Sequence, residues 1–151
     1  MLPAVIRQTL PEMSIDAINA VQSLEDEYLQ QPQVEMPTSH VIHGGMYSRT
    51  IMLPAGCVLT GAVIKIATIV MISGDITVYT GEEAARLQGH HVIPASAFRK
   101  QAFLAHSDTH ITMVFPTSAI SVDQAEEEFT DDYEKLMSRS GMNEIFIGDL
   151  I

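Results

Sequence analysis

Three side chains in the segment "AHSDTH" could bind a metal ion or transfer a proton. His106, Asp108 and His110 occupy alternate positions, so on one extended strand they would share a face and could bind a metal. The same segment also predicts a hairpin turn at Ser107–Asp108, which would point the three side chains apart. The triplet is therefore a fallback metal or catalytic site, and the alternative is a turn with exposed histidines.

The remaining histidines and the single cysteine are weaker candidates for chemistry. His90 and His91 are neighbours, so on a strand they face opposite ways and cannot hold one ion together. His40 and His43 lie at the predicted entry to a strand, where a role in a pocket stays open. Cys57 has no base or positive charge near it in sequence, and it is predicted to be a small buried thiol.

The chain is strongly acidic, with a formal net charge of −11 at pH 7. The acids concentrate in residues 1–39 and 121–151, whereas residues 40–120 are nearly neutral. A nucleic-acid backbone needs a basic footprint, so nucleic-acid binding is not expected. The sequence contains neither of the glycine-rich phosphate-loop patterns GxxxxGK and GxGxxG.

We see no signal peptide or membrane-spanning run, and a lone cysteine fits a reducing compartment, so a soluble cytoplasmic protein is expected.

Two segments show helical periodicity. In residues 14–30 apolar residues recur at helical spacing after Ser14, which is a plausible N-cap. Residues 122–139 carry a second apolar stripe, with Asp123 as the expected cap and Glu126 three residues later, as in a capping box. The acids of this second helix are predicted to face water.

Residues 40–116 change to the pattern of short strands separated by turn signals, among them Ser73-Gly74-Asp75 and Gly89. This pattern predicts a mostly β sandwich or barrel, and the whole chain, residues 1–151, is expected to form one domain. The apolar ends "MLPAVI" and "IFIGDLI" are expected to pack against partners, and the tail "MNEIFIGDLI" against its own barrel or a neighbouring subunit. The predicted strands are Tyr47–Leu53, Ala62–Ile66, Ile69–Ile72, Asp75–Thr80, His91–Ile93, Phe98–Ala105 and Thr109–Phe115.

The central segment resembles a small cupin, a double-stranded β-helix of the jelly-roll type. The resemblance is carried by "GGMYSRTIMLPAGCVLTG", "ISGDITVYTGE" and "HVIPASAFRKQAFLAHSDT", which are similar to the strands and turns of the two cupin motifs. The arrangement most resembles small cupins of tailed bacteriophages, which also carry an acidic helix after the barrel. It implies a mostly β, cupin-type jelly-roll barrel over residues 40–116 with flanking N- and C-terminal helices.

The resemblance breaks at the metal site of the family. That site normally uses two histidines separated by one residue, a glutamate a few positions on, and a third histidine in the second motif. The corresponding positions here are Ile64, Ile66, Ala67 or Val70, and Arg99. A degenerate site without metal or other cofactor is therefore expected, with its pocket filled or dried by the isoleucines.

Arg99 replaces the third histidine of the family, so an inward orientation would put a charge into an apolar barrel. Such a charge must find a partner. The candidates are an internal carboxylate, Asp75 or Asp108, and an anionic ligand held by the guanidinium group. The residues predicted to contact such a ligand are Tyr47, Arg49, Arg99 and Lys100.

Three functions are compatible with these observations. The first is a non-catalytic, homo-oligomeric cupin that acts as a protein-binding or assembly module for a phage or host protein, or as a virion structural protein. The second is an oligomeric protein that sequesters a small anionic metabolite. An enzyme using His106, Asp108 and His110 ranks last. No nucleic-acid or membrane partner is expected, and the expected location is the host cytoplasm or the virion.

Overall fold

The computed structural model describes residues 8–150, which form a mostly β fold with two α-helices. Helix α1 (Ile15–Tyr28) precedes the sheet, and α2 (Val122–Phe129) follows its seventh strand. The strands are β1 (Thr38–His43), β2 (Met46–Leu53), β3 (Val58–Thr60), β4 (Thr68–Tyr79), β5 (Ala84–Ala95), β6 (Ala102–Ala105), β7 (Thr109–Pro116) and β8 (Asn143–Ile147). The N-terminal "MLPAVI" lies outside the described residues. Within residues 8–150, no helix is long and apolar enough to cross a membrane.

The strands form one sheet in the order β3-β6-β4-β7-β2-β1-β8, with β5 paired to β4 beside this path. Neighbouring strands are antiparallel, except that β8 runs parallel to β1. Strand β4 changes partner along its length, from β7 at residues 69–73 to β6 at residues 76–79. The sheet curls at this change of partner. A mostly β, curled sheet with helices before and after it is the fold class predicted from the sequence.

Alternation along the strands sends one set of side chains to the concave face. The largest cluster of buried residues there includes Leu53, Ile72, Ile76 and Phe103. A second cluster joins the sheet to α2, where Phe129 packs against the rings of Tyr47 and Phe115. Burial of each such large side chain stabilises the fold by about 2 kcal/mol, so α2 is held by its apolar stripe.

Helix α1 begins where the sequence predicts. The hydroxyl oxygen of Ser14 accepts the N–H of Ala17 at 3.1 Å and so caps the first turn. Ala17 and Val21 are buried and pack with Ala102 of β6. The loop after β4 also approaches α1 closely at Gly81, where a β-carbon would collide with the backbone carbonyl of Ala17.

Two glycines predicted to form turns instead lie inside long strands. Strand β4 runs through Gly74, and a β-carbon there would collide with Thr109 of β7. The predicted turn at Ser73–Asp75 is therefore wrong, because this glycine permits a close approach of two strands. Gly89 likewise lies inside β5, with φ +86°.

Other strand boundaries also differ from the prediction. Residues 62–66 form no strand, and only Ile64 makes an isolated bridge, with Arg99. The strand predicted from Phe98 begins at Ala102, because Phe98 has φ +59°, which interrupts an extended chain. The sequence prediction missed β1, β3 and β8. The C-terminal tail forms β8 on its own sheet, which confirms the expectation that it docks on the barrel.

The second helix is shorter than predicted. It ends at residue 129, where Thr130 is extended (φ −149°, ψ 146°) and its hydroxyl accepts the N–H of Asp132 at 3.1 Å. That local hydrogen bond competes with another helical turn, and residues 133–139 form two short 3₁₀ turns. The N-cap is Ser121 rather than Asp123, since its side chain accepts the N–H of Gln124.

We expect Gly81→Ala to destabilise the protein more than Gly89→Ala does. Both residues have positive φ, at +84° and +86°, but a β-carbon at residue 89 meets nothing within 4 Å. Each change costs about 1–2 kcal/mol for the left-handed backbone, and only Gly81→Ala adds a collision with α1. Urea denaturation of the two variants measures the difference. Equal losses of unfolding free energy would contradict the close approach of the loop and helix.

Candidate functional site

The concave face of the curled sheet bounds a cavity of about 560 Å³. This volume is typical of small-molecule sites in proteins. Its wall is completed by the end of α1, residues 31–36 and residues 132–137, and the exposed side chains of Gln31, Gln33 and Lys135 mark its opening. Apolar side chains make up much of the wall, among them Ile51, Leu59, Val70, Phe103, Ile111, Met113, Leu136 and Met137. Of the two alternatives expected from the sequence, a filled pocket is therefore wrong, whereas a pocket dried by isoleucines is not tested.

The positions predicted to correspond to the metal site of cupins do not all lie in the cavity wall. Ile64, Val70 and Arg99 line the cavity. Ile66 packs beside the cluster around Phe129, and Ala67 is exposed. Within residues 8–150, no three His, Cys, Asp or Glu side chains lie together so that they could hold a metal ion.

The side chains of His106, Asp108 and His110 do not come together. His106 shares a hydrogen bond with the hydroxyl of Thr77, with 2.7 Å between Nε2 and Oγ1. Asp108 accepts the backbone N–H of Ala55 at 2.9 Å, and His110 is exposed on β7. The turn at residues 107–108 separates the side chains, as the alternative interpretation expected.

Arg99 is buried in the wall of the cavity, with 1% of its surface exposed. Its Nη1 donates to the carbonyl of Ser96 at 2.6 Å and, more weakly, to Ile66 at 3.3 Å. Its Nη2 donates to Oγ1 of Thr68 at 2.7 Å and contacts the sulfur of Met113 at 3.8 Å. The buried Nε has no hydrogen-bond partner among the described residues. Burial lowers the pKa of Arg99 to about 10, so the group remains charged at neutral pH.

The prediction that Arg99 forms a salt bridge with Asp75 or Asp108, one of the two alternatives from the sequence, is wrong. Among the described residues no carboxylate lies within ion-pair distance of it. Asp75 instead forms a two-pronged pair with Arg86, at 2.8 and 2.9 Å, and the hydrogen bonds from Arg86 hold the pKa of Asp75 at about 2. Asp108 lies in the turn already described. Arg99 therefore donates hydrogen bonds only to neutral acceptors, and its charge has no carboxylate partner among the described residues.

Arg49 lines the same cavity but has a carboxylate partner, Glu126 of α2. Nη1 of Arg49 lies 2.8 Å from Oε2 of Glu126, which is 1% exposed. Nε of Arg139 lies 2.7 Å from the other carboxylate oxygen, and the hydroxyl of Ser138 also donates to Glu126. We call these four residues the Glu126 cluster. The prediction that the acids of this helix face water is wrong for Glu126, which lies on the stripe of Ala125 and Phe129.

The two other residues predicted to contact a ligand, Lys100 and Tyr47, also have partners within the protein. Lys100 lies 3.1 Å from a carboxylate oxygen of Glu25 and donates to the carbonyl of Gly61 at 2.8 Å. Tyr47 is fully buried, and its hydroxyl lies 2.7 Å from Nδ1 of His40. Tyr47 does not line the cavity, whereas Lys100 does. Of the predicted ligand residues, Arg99 alone combines a place in the wall with a charge that has no carboxylate partner among residues 8–150.

Sequence reasoning missed several members of the site. Glu126 carried a usable signal, because it lies three residues before Phe129 and so on the buried stripe of the helix. His40 bridges β1 and β8 through Asn143, with 2.6 Å between Nε2 and Oδ1, and burial lowers its pKa. Cys57 is half-buried in the cavity wall. No local signal marks the walls contributed by residues 31–36 or 132–137.

Comparisons with known proteins give weak similarities. No family model and no curated protein matches the chain. A cupin superfamily protein from Desulfitobacterium hafniense is 9% identical, with a TM-score of 0.47 over 75% of this chain and 99% of its own. A double-stranded β-helix protein from Klebsiella pneumoniae is 15% identical, with a TM-score of 0.48 over 62% and 83% of the two chains. Neither likeness extends to function.

We expect Glu126→Gln to lower the free energy of unfolding by about 3 kcal/mol or more. The change removes the negative charge and leaves Arg49 facing an uncompensated site in the interior, which is costly. Urea denaturation at pH 7 measures the loss. Glu127→Gln is the matched control, since its side chain is exposed on the same helix. Losses of similar size in the two variants would contradict the role of the Glu126 cluster.

The contribution of Glu126 also depends on pH. Burial alone would raise its pKa, but hydrogen bonds from Ser138, Arg139 and Arg49 outweigh burial and hold the pKa below its ordinary value of 4.5. A lower pKa in the folded state means that the carboxylate stabilises the fold fully above about pH 4.5 and progressively less below it. The stability difference between wild type and Glu126→Gln should therefore stay constant from pH 7 to about pH 5 and shrink at lower pH. A difference unchanged at pH 3 would contradict this account.

Proposed function

We propose that this protein binds a small organic anion with an apolar body in the cavity of its curled sheet, and holds it without chemical change. The observation that carries the proposal is Arg99, a buried guanidinium without a carboxylate partner among residues 8–150, in the wall of a largely apolar cavity. This function corresponds to the sequestering hypothesis of the sequence analysis.

Arg99 favours an anion because a buried charge is expensive without an opposite charge. Removing a cation from water costs several kcal/mol, and neutral acceptors offset only part of that cost. A guanidinium group has five N–H donors, and the Nε donor of Arg99 lacks an acceptor among the described residues. A carboxylate or sulfonate of a ligand beside the guanidinium group would supply the missing negative charge.

The rest of the wall favours a ligand with one negative charge and an apolar body. Arg49 and Lys100 are already neutralised by Glu126 and Glu25, so the interior offers one uncompensated cation. Lys135 at the opening is a second cation, but it is exposed to water. A nucleotide or polyphosphate would bring more charge than Arg99 balances. Apolar contacts with the wall would supply most of the binding free energy.

Decanoate, a carboxylate with an apolar chain, is a suitable probe. We expect isothermal titration calorimetry to show binding to wild type and at least tenfold weaker binding to Arg99→Met. The matched control is Arg86→Met, because Arg86 is an exposed arginine paired with Asp75. Decanol, which has no charge, should bind wild type and Arg99→Met equally.

The same variant reports on stability. Arg99→Met removes a buried charge and keeps an unbranched side chain, so its melting temperature should equal or exceed that of wild type. Circular dichroism measures this. If the folded Arg99→Met protein binds decanoate as tightly as wild type does, the proposal is wrong.

An assembly module is the second candidate function. It covers assembly with a phage or host protein and a structural role in a virion. The observation that favours it is the side of the sheet that faces away from the cavity, where Ile69, Met71, Thr112, Val114, Ser48 and Thr50 are all uncharged. The chain as a whole carries a net charge of −11. The enzyme hypothesis has no such support, because His106, Asp108 and His110 lie apart.

A further inference from the structure

Two histidines of β1 contact the two ends of β8. His40 shares a hydrogen bond with Asn143 at the start of β8, with 2.6 Å between Nε2 and Oδ1. Just beyond the end of β8, the backbone N–H of Asp149 donates to Nδ1 of His43 at 3.1 Å. We call these the two histidine contacts. Both join β1 to the C-terminal segment, so the attachment of β8 depends on the protonation of two imidazole rings.

The surrounding groups determine which nitrogen of His40 carries the proton. Nδ2 of Asn143 donates to the carbonyls of Ser138 and Gly141, so Oδ1 of Asn143 is the atom that faces His40. An amide oxygen only accepts, and Nε2 of His40 must therefore be the donor. Nδ1 is then the acceptor of a neutral ring, and it receives the hydroxyl proton of Tyr47 at 2.7 Å. The network is satisfied in one tautomer of a neutral His40.

A second proton on His40 does not fit this network. Nδ1–H would have to donate to the hydroxyl oxygen of Tyr47, whose own proton would then lose its acceptor. The other hydrogen-bonding group beside this hydroxyl, among the described residues, is Nη1 of Arg49 at 3.5 Å, which is itself a donor. His40 and Tyr47 are both buried. An unsatisfied donor at this place is costly, because water cannot replace the missing acceptor.

The groups that face His40 from the neighbouring elements act in both directions. Burial has the largest effect and lowers the pKa of His40 below its ordinary value of 6.5, whereas the hydrogen bond with Asn143 of β8 opposes it. The charge of Arg49 on β2 lowers the pKa further, and that of Glu126 on α2 raises it. Tyr47 of β2 stays protonated, since burial raises its pKa. His40 is therefore neutral at pH 7 in the closed structure.

The contact at His43 has the same chemical requirement. Nδ1 accepts the N–H of Asp149, and a proton on Nδ1 would replace this acceptor by a donor. Attraction between the carboxylate of Asp149 and a protonated ring would not restore the lost backbone hydrogen bond. The ring of Phe146 packs beside His43, with 6.3 Å between the ring centroids. Acid therefore weakens the attachment at both ends of β8.

We propose that the two histidine contacts make the cavity respond to pH: neutral rings hold β8 on β1 and keep the cavity wall in place, and acid opens both, so that a bound anion escapes faster. This inference rests on the binding function proposed above and adds its regulation. Residues 132–137 complete the cavity wall and lie between α2 and β8 in the chain. The side chain of Asn143 holds residues 138 and 141. Release of β8 thus removes one of the two attachments of this wall, and the Glu126 cluster is the other.

The direction of the effect follows from proton binding. Below pH 6.5 an open chain takes up a proton at His40 that the closed chain does not, so acid favours the open chain. A difference of one proton changes the opening equilibrium by up to about tenfold per pH unit. Glu126 keeps its charge in this range, because its pKa lies below 4.5. Between pH 7.0 and pH 5.5 the response therefore comes from histidine.

Hydrogen exchange of the full chain, followed by NMR, tests the proposal. The N–H of Gly148 donates to the carbonyl of Ile42 at 2.8 Å and reports on the attachment of β8. After correction for the intrinsic pH dependence, we expect the protection of Gly148 to fall about fivefold from pH 7.0 to pH 5.5. Ile72, in a part of β4 that is paired on both sides, should stay at least tenfold more protected than Gly148 at pH 5.5. Equal protection would mean that only global unfolding exposes β8, which overturns the proposal.

His40→Gln is the variant that removes the response. Its amide can still donate to Asn143 but takes up no proton, so the protection of Gly148 should change less than about twofold over the same range. The matched control is His110→Gln, at an exposed histidine of β7, which should keep the fivefold fall. A constant protection in wild type, or the same fall in His40→Gln, overturns the proposal.

A measurement on wild type keeps the test independent of variant folding. The ring ¹⁵N shifts of His40 should show the neutral tautomer with the proton on Nε2, both at pH 7.0 and at pH 6.0. A ring protonated on Nδ1, or a charged ring at pH 6.0, contradicts the network and overturns the proposal.

The effect on the cavity is measured with decanesulfonate, whose sulfonate stays ionised throughout this range. NMR line shapes of the methyl group of Met113, which lines the cavity, give its dissociation rate. We expect this rate to rise about fivefold from pH 7.0 to pH 5.5 in wild type and to stay constant in His40→Gln. A constant rate in wild type overturns the control of the cavity. If decanesulfonate binds at neither pH, the proposed function is wrong, and the exchange of Gly148 still decides whether acid releases β8.

Discussion

The rest of the structure depends on the ion pairs that the buried carboxylate of Glu126 forms. It joins Arg49 in the sheet to Arg139 and Ser138 near the end of the chain. Helix α2, the 3₁₀ turns and the entry to β8 are thereby tied to the concave face. Residues 132–137, which complete the cavity wall, lie between the two ends of this connection. The cavity therefore owes part of its shape to one buried cluster of ionic and hydrogen-bonding side chains.

Arg49 and Arg99 differ in whether a carboxylate neutralises them. Both guanidinium groups leave water and line one cavity. Arg49 has a carboxylate partner and so contributes to the fold. Arg99 donates only to neutral acceptors among the described residues, and the proposed ligand would supply the opposite charge. In the proposed function, stability therefore depends on Arg49 and binding on Arg99.

The sequence predicted the elements that depend on local pattern. Alternation and turn signals predicted a mostly β fold, and Ser14 predicted the start of α1. The predictions failed where tertiary contacts override local preference. Gly74 resembles a turn residue, yet it lies within a strand because Thr109 packs against it. Helix α2 ends before Thr130, although the apolar stripe of the sequence predicts a longer helix.

The site was predictable only in part. Arg99 was identified as a residue in need of a partner, because it replaced a ligand in an apolar barrel. Its lack of a carboxylate could not be predicted, since ion pairing depends on side chains far apart in the sequence. The partner of Arg49 is 77 residues away. The cavity itself is formed by segments whose meeting no local pattern specifies.

The parallel pairing of β8 with β1 links residues about 105 positions apart, such as Thr38 and Asn143. During synthesis from the N-terminus, β1 to β7 emerge well before β8 and the residues that close the cavity. A nascent chain would therefore expose its apolar concave wall until residues 132–147 had left the ribosome. The cavity closes only after these residues emerge, so a chain that stops before them would expose an open, apolar sheet.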